Sequence, residues 1–105
     1  MRDDYGEALT RQHLIDWDLK EAGWPLVNPE DREFKVETMP TASGTLSGVG
    51  YVDYVLWGAD GLPLVVVEAK RTTKDPRVGK QQAKLYADCL ERRYKRWPII
   101  YYTSG

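Results

Sequence analysis

Asp53, in the run Gly50-Tyr51-Val52-Asp53-Tyr54-Val55, and Glu68 and Lys70, closing Leu64-Val65-Val66-Val67-Glu68-Ala69-Lys70, are residues whose types and spacing can do chemistry. Successive side chains of a strand point to opposite faces, so Glu68 and Lys70 share one face. A hairpin between the two runs would bring Asp53 to them. Two carboxylates suit a hard cation such as Mg²⁺, which takes oxygen ligands and keeps several waters. The backbone carbonyl of Ala69 offers a third oxygen. A bound cation would lower the pKa of a water and act as a Lewis acid on a phosphate. Lys70 would orient that water or meet the developing negative charge, its ammonium kept ionised by the neighbouring carboxylates. The plainer alternative is a solvated Asp53 beside a Glu68–Lys70 surface ion pair worth under ~1 kcal/mol. Against it stands the triple valine, which marks a strand buried on both faces and central to a sheet.

Other patterns carry less. Gln82 and Tyr86 are spaced i, i+4 and share a helix face; the amide can bridge a backbone or base and the hydroxyl can bond a phosphate, although Tyr86 also falls on an apolar stripe. Glu7 and Arg11 have the same spacing and read most simply as a helix-surface pair, with Glu7 a possible further metal ligand. His13, the single histidine, reads as solvated. Lys70, Arg71, Lys74, Arg77, Lys80 and Lys84 follow the carboxylates closely and form either a solvated face or a rim that grips phosphates.

The elements that must position these residues follow from periodicity and breakers. Asp3 or Asp4 can cap a first helix whose stripe is Ala8, Ile15, Leu19 and Ala22, ended by Gly23 and Trp24-Pro25. Residues 25–32 read as a loop. Phe34-Lys35-Val36-Glu37 alternates as a first strand, Tyr51 to Trp57 is a second, Gly58-Ala59-Asp60-Gly61 is a turn, and Leu62 to Lys70 is a third strand. Val78 to Tyr94 is a second helix with Ala83, Tyr86, Ala87, Leu90 and Tyr94 on one stripe. Ile99 to Tyr102 closes the order as a short strand. The expected fold class is α/β: helix, three strands, helix, strand, in a mixed sheet flanked by helices.

The 105 residues make one small domain with one core. Hydrophobic content of 42% and charged content of 30% are ordinary for a globular chain. No apolar run reaches a bilayer span, and the acidic start does not suit a signal peptide, so no membrane partner is expected. One cysteine, Cys89, rules out an internal disulfide and a multi-cysteine zinc site, and fits a reducing cytoplasm. The net charge of −1 divides into −7 over residues 1–60 and +6 over residues 61–105. Either the basic half faces a phosphate backbone or the halves complement each other; the charges alone do not choose.

Asp53 followed by Glu68-Ala69-Lys70, on strands within that element order, resembles the PD-(D/E)xK nuclease superfamily. Val52 stands where the proline usually precedes the aspartate, a departure the superfamily tolerates. Glu7-Ala8-Leu9-Thr10-Arg11, Leu14-Ile15-Asp16 and Ala22-Gly23-Trp24 are similar to the opening of the restriction (R) subunit of type I restriction–modification enzymes. Val67-Glu68-Ala69-Lys70 is similar to its third-strand motif, Gln82-Ala83-Lys84-Leu85-Tyr86 to its Gln-x-x-x-Tyr motif, and Pro98 to Gly105 to the strand after that helix. The resemblance covers nearly the whole chain. It implies a restriction-endonuclease-like core, with Asp53 and Glu68 as metal ligands, Lys70 as the catalytic lysine, and Gln82 and Tyr86 as supporting or DNA-contacting residues.

It further implies double-stranded DNA as substrate, Mg²⁺ or Mn²⁺ as cofactor, and modification and specificity subunits as partners. R subunits carry an ATP-driven motor after the nuclease domain. No Gly-x-x-x-x-Gly-Lys-Ser/Thr loop occurs here, so ATP would enter only through a motor in cis, and residues 1–105 read as either an excised N-terminal domain or a stand-alone relative, the Thr103-Ser104-Gly105 end making excision the expectation. Two other functions fit the same fold: a non-catalytic DNA- or subunit-docking module, and a repair or junction-resolving nuclease.

Overall fold

The computed structural model describes residues 4–69 and 76–103, the side chains of residues 4–12, 76 and 78 excepted. The order is α1 (Asp4–Glu21), a single 3₁₀ turn (Pro29–Asp31), β1 (Arg32–Met39), β2 (Gly48–Trp57), β3 (Pro63–Ala69), α2 (Pro76–Tyr94) and β4 (Ile99–Thr103). The fold is α/β, and the expected order of two helices and four strands holds. The strands run longer than the expected segments at several ends, because pairing continues past the alternating residues that reveal a strand in sequence. Inside the expected loop 25–32, the Asn28 N–H donates to the Asp31 carboxylate at 3.1 Å and folds Pro29–Asp31 into its short turn.

The sheet order is β1-β2-β3-β4. β1, β2 and β3 form an antiparallel meander, and β4 returns parallel to β3 after the α2 crossover. β3 is therefore central, as its triple valine requires. The turn between β2 and β3 places Gly61 at φ +80° and closes it with the Gly61 N–H on the Gly58 carbonyl at 3.0 Å. A side chain there would strain the backbone, which is why Asp-Gly marks the spot.

α1 ends on Gly23 at φ +101°, with the Gly23 N–H on Lys20 O and the Trp24 N–H on Leu19 O. This paired closure satisfies two carbonyls of the last turn. It sends the chain back so that Ile15, Leu19 and Trp24 pack with Leu26, Tyr54, Leu56 and Val67. On the opposite side Tyr86, Cys89 and Leu90 of α2 pack with Val36, Val52, Val55 and Val66. The apolar stripe expected on α2 is the buried one: Ala83, Ala87 and Leu90 have no exposed surface. One helix thus covers each side of the sheet. Among the described residues no helix is long and apolar enough to cross a membrane.

The strands do not keep their faces along their whole length. Arg32 pairs with Tyr54 and Phe34 with Val52, yet Tyr54 packs on the α1 side while Val52 and Phe34 pack on the α2 side. Residues two apart in a regular strand would share a face. The turnover lies at the intervening pair, Glu33 and Asp53, and Glu33 carries a φ of +48°.

Candidate functional site: a carboxylate pair on two strands

β2 and β3 pair as far as Tyr54 with Val67. One residue further, side chains take over from the backbone ladder. The Asp53 N–H donates to Glu68 Oε2 at 3.1 Å, and the Ala69 N–H donates to Asp53 Oδ2 at 2.8 Å. Each carboxylate accepts a backbone N–H from the other's strand, so the two acids are held together at the sheet's heart. Both are partly buried. The expectation that the hairpin joins Asp53 to Glu68 is met. The N–H of Ala69 lies at this spot, committed to Asp53. Lys70, Arg71 and Lys74 lie outside the described residues, as does the side chain of Glu7.

Burial pushes the Glu68 carboxyl up to about 8, and the charge of Asp53 adds to that; the N–H bond from Asp53 works against it, and the charge of Glu33 adds a smaller push upward. Glu33 is brought there by register: it stands across β1 from Asp53, between the Arg32–Tyr54 and Phe34–Val52 pairs. Desolvation disfavours a charge, and a second carboxylate nearby disfavours it again.

Tyr86 completes the neighbourhood from α2. Its hydroxyl accepts the Gln82 amide at 2.7 Å and a bond from the Tyr51 backbone N–H. With both lone pairs used, the phenol keeps its own proton as a donor. Burial raises its pKa first, the Glu68 charge next, and Asp53 adds a smaller share, so the hydroxyl sits within electrostatic reach of both acids. The ring is 4% exposed and lies on Gly50, where a Cβ would come within 2.6 Å of Tyr86 Cε1. Tyr86 is therefore a core residue whose hydroxyl lies in the polar neighbourhood of the two acids. Gln82, by contrast, is exposed, as are His13, Arg77, Lys80 and Lys84.

Three further residues belong to this region without having announced themselves in the sequence. Tyr54, adjacent to Asp53 and 2% exposed, donates its hydroxyl to Asp16 Oδ1 of α1 at 2.5 Å. Arg32, its partner across β1, places its guanidinium 3.7 Å from the other Asp16 oxygen. This triad fastens α1 to the strand that carries Asp53. Burial, and then the bond to Asp16, raise the Tyr54 pKa well above the usual phenol range, so it stays a donor at any physiological pH. The signal for Gly50 was available, since a glycine inside a strand often marks close approach. The pairing of Asp16 with Tyr54 gave none, the two being 38 residues apart.

The donor set is chemically suited to a hard divalent cation: two carboxylates from adjacent strands, one kept protonated by burial and by its neighbour's charge. A bound cation would offset the charge that these two acids bring to one spot. Among the described residues no group of three His, Cys, Asp or Glu side chains is gathered to hold a metal ion, so Asp53 and Glu68 would share that role with backbone oxygen and water. No family model, curated protein or solved structure matches this chain.

Proposed function

We propose that this chain is a metal-dependent endonuclease domain that hydrolyses DNA phosphodiesters, with a restriction-endonuclease-like core, and that it serves as the nuclease domain of a type I restriction enzyme R subunit. The observation that carries the reading is the reciprocal hold of Asp53 and Glu68, with the Tyr86 hydroxyl and Gln82 amide beside it. They are the residues to which the sequence resemblance to the PD-(D/E)xK superfamily gives roles.

Asp53 and Glu68 would hold Mg²⁺ or Mn²⁺, with the Ala69 carbonyl as a further oxygen. When bound, the cation supplies Lewis acidity toward the phosphate and acidifies a water. The chain's own residues do the rest. Asp53 and Glu68 are pre-set by backbone bonds, so little reorganisation is needed. The Tyr86 proton can donate to a phosphate oxygen, and Gln82 fixes the phenol that does so. Lys70 would orient the attacking water and offset charge on the phosphate. Arg77, Lys80 and Lys84, exposed along α2, would contact the DNA backbone.

The test is nicking of supercoiled plasmid with Mn²⁺ by the purified chain and by Asp53→Ala, Glu68→Ala and Lys70→Ala. The expected outcome is nicking by the parent and none by the folded variants. A variant that cuts at the parent's rate removes that residue from the mechanism. Mn²⁺ binding without any nicking would instead favour a docking module of the same fold, and preference for flaps or junctions over linear duplex a repair or junction-resolving nuclease.

A further inference from the structure

A second concave site lies at the far end of β2. From Asp53 to Trp57 is four residues, roughly 13 Å along a strand. There a cleft of about 490 Å³ opens, walled by Trp24, Trp57 and Tyr94, with Val27, Glu30 and Asp31 also lining it. That volume is within the usual range for a ligand site. The Trp57 indole is fixed by its Nε1–H bond to the Glu30 carbonyl at 3.0 Å, and its ring meets Phe34 and Tyr94 edge-on with centroids 5.2 and 5.3 Å away. Val27, 76% exposed, leaves an apolar lip in solvent.

The charge of the lining decides what fits. The described residues around the cleft include two carboxylic acids, Glu30 and Asp31, and no lysine, arginine or histidine. Asp31 already accepts the Asn28 N–H, while Glu30 engages the fold through its backbone carbonyl. A nucleotide would find aromatic walls but would bring its phosphates to carboxylates. A guanidinium finds both partners it needs, flat π-faces to stack on and a carboxylate to fork onto. The same aromatic cluster already accepts one on another side: Arg93, which does not line the cleft, stands over the Phe34 and Tyr94 rings at 5.6 and 5.0 Å.

We propose that the Trp24–Trp57–Tyr94 cleft is a docking site for an arginine side chain of a protein partner, read by the indoles and by Glu30. It lies away from the Asp53–Glu68 pair and does not depend on the nuclease reading.

The probe is the peptide acetyl-Gly-Arg-Gly-amide, set against its citrulline counterpart, which keeps the shape and loses the charge. Two-dimensional NMR of the intact chain follows the indole N–H signals of Trp24 and Trp57 and the amide of Asp53. The arginine peptide is expected to shift both indoles and leave Asp53 unmoved, with the citrulline peptide about tenfold weaker. Glu30→Gln, at an exposed position, is expected to weaken the arginine peptide about fivefold or more while its remaining spectrum stays that of the parent. Absence of indole shifts with the arginine peptide, equal response to citrulline, an unchanged affinity in Glu30→Gln, or tighter binding of adenosine monophosphate at the same indoles would each overturn the proposal.

Discussion

Asp53 and Glu68 hold each other through the backbone: the Asp53 N–H donates to the Glu68 carboxylate at 3.1 Å, and the Asp53 carboxylate accepts the N–H of Ala69, the residue after Glu68, at 2.8 Å. Two acids that repel as charges are thereby fixed at adjacent strand positions. The arrangement has consequences in the absence of any metal.

The first concerns pH. The native state holds the Glu68 proton until about pH 8, whereas the ordinary value is 4.5. Between those values the native state binds more protons than the unfolded chain. The stabilisation is therefore complete below about 4.5 and is lost as pH rises toward 8. At about 1.4 kcal/mol per pKa unit, the rise from 4.5 to about 8 corresponds to a loss of up to ~5 kcal/mol. Urea unfolding in chelator across pH 5 to 9 is expected to show this decline, and Glu68→Gln to flatten it. An undiminished slope in that variant would place its origin elsewhere.

The second separates Tyr86 from Gln82. Tyr86→Phe removes the acceptor shared by the Tyr51 N–H and the Gln82 amide, at a cost of ~1 kcal/mol or more. Gln82 is exposed, and Gln82→Ala is expected to shift stability by under ~0.5 kcal/mol yet to lower nicking by about tenfold or more, the effect of an amide that orients a proton donor. Denaturation midpoints and nicking rates measured on the same preparations check both. Equal stability losses in the two variants would contradict the hydrogen-bond assignment.

Tyr54 and Asp16 supply the third. Their bond links α1 to the strand bearing Asp53, and a bond to a charged acceptor contributes ~1.5–3 kcal/mol. A double-mutant cycle of Tyr54→Phe and Asp16→Asn is expected to give a coupling energy of ~1 kcal/mol or more. Additive effects would mean that the contact does not hold the helix.

Glu33 gives the fourth. A non-glycine residue at φ +48° costs on the order of 1 kcal/mol or more, so Glu33→Gly is expected to raise the melting temperature. The same change removes a carboxylate that bears on Glu68, so the Glu68 pKa, followed by carbon NMR of its carboxyl, is expected to fall. Glu33→Gln should reproduce the pKa change and not the gain in stability. A Glu33→Gly variant less stable than the parent would show that the carboxylate matters more than the strain.

Much of this was legible in the sequence. The triple valine marked the central strand, the Asp-Gly turn set the hairpin, and the i, i+4 spacing of Gln82 and Tyr86 put them on one face; all three rest on local periodicity. What escaped is non-local. Arg32-Glu33-Phe34-Lys35-Val36-Glu37 alternates as a regular strand, and nothing in it reveals that the backbone turns over at Glu33 and changes the face on which Tyr54 and Val52 pack. The Asp16–Tyr54 bond likewise needs the fold before it can be seen. Tyr86 read as either core or functional because a buried tyrosine carries both an apolar ring and a polar tip: the ring fills space on Gly50 and the hydroxyl lies within electrostatic reach of the acids.

The most direct test of the central claim is calorimetric titration of Mn²⁺ into the metal-free chain at pH 7, in two buffers of different ionisation enthalpy. If Asp53 and Glu68 form a cation site, binding will release close to one proton from Glu68, and both Asp53→Asn and Glu68→Gln will abolish it. Binding that persists in both variants, or no binding in the parent, would contradict the account.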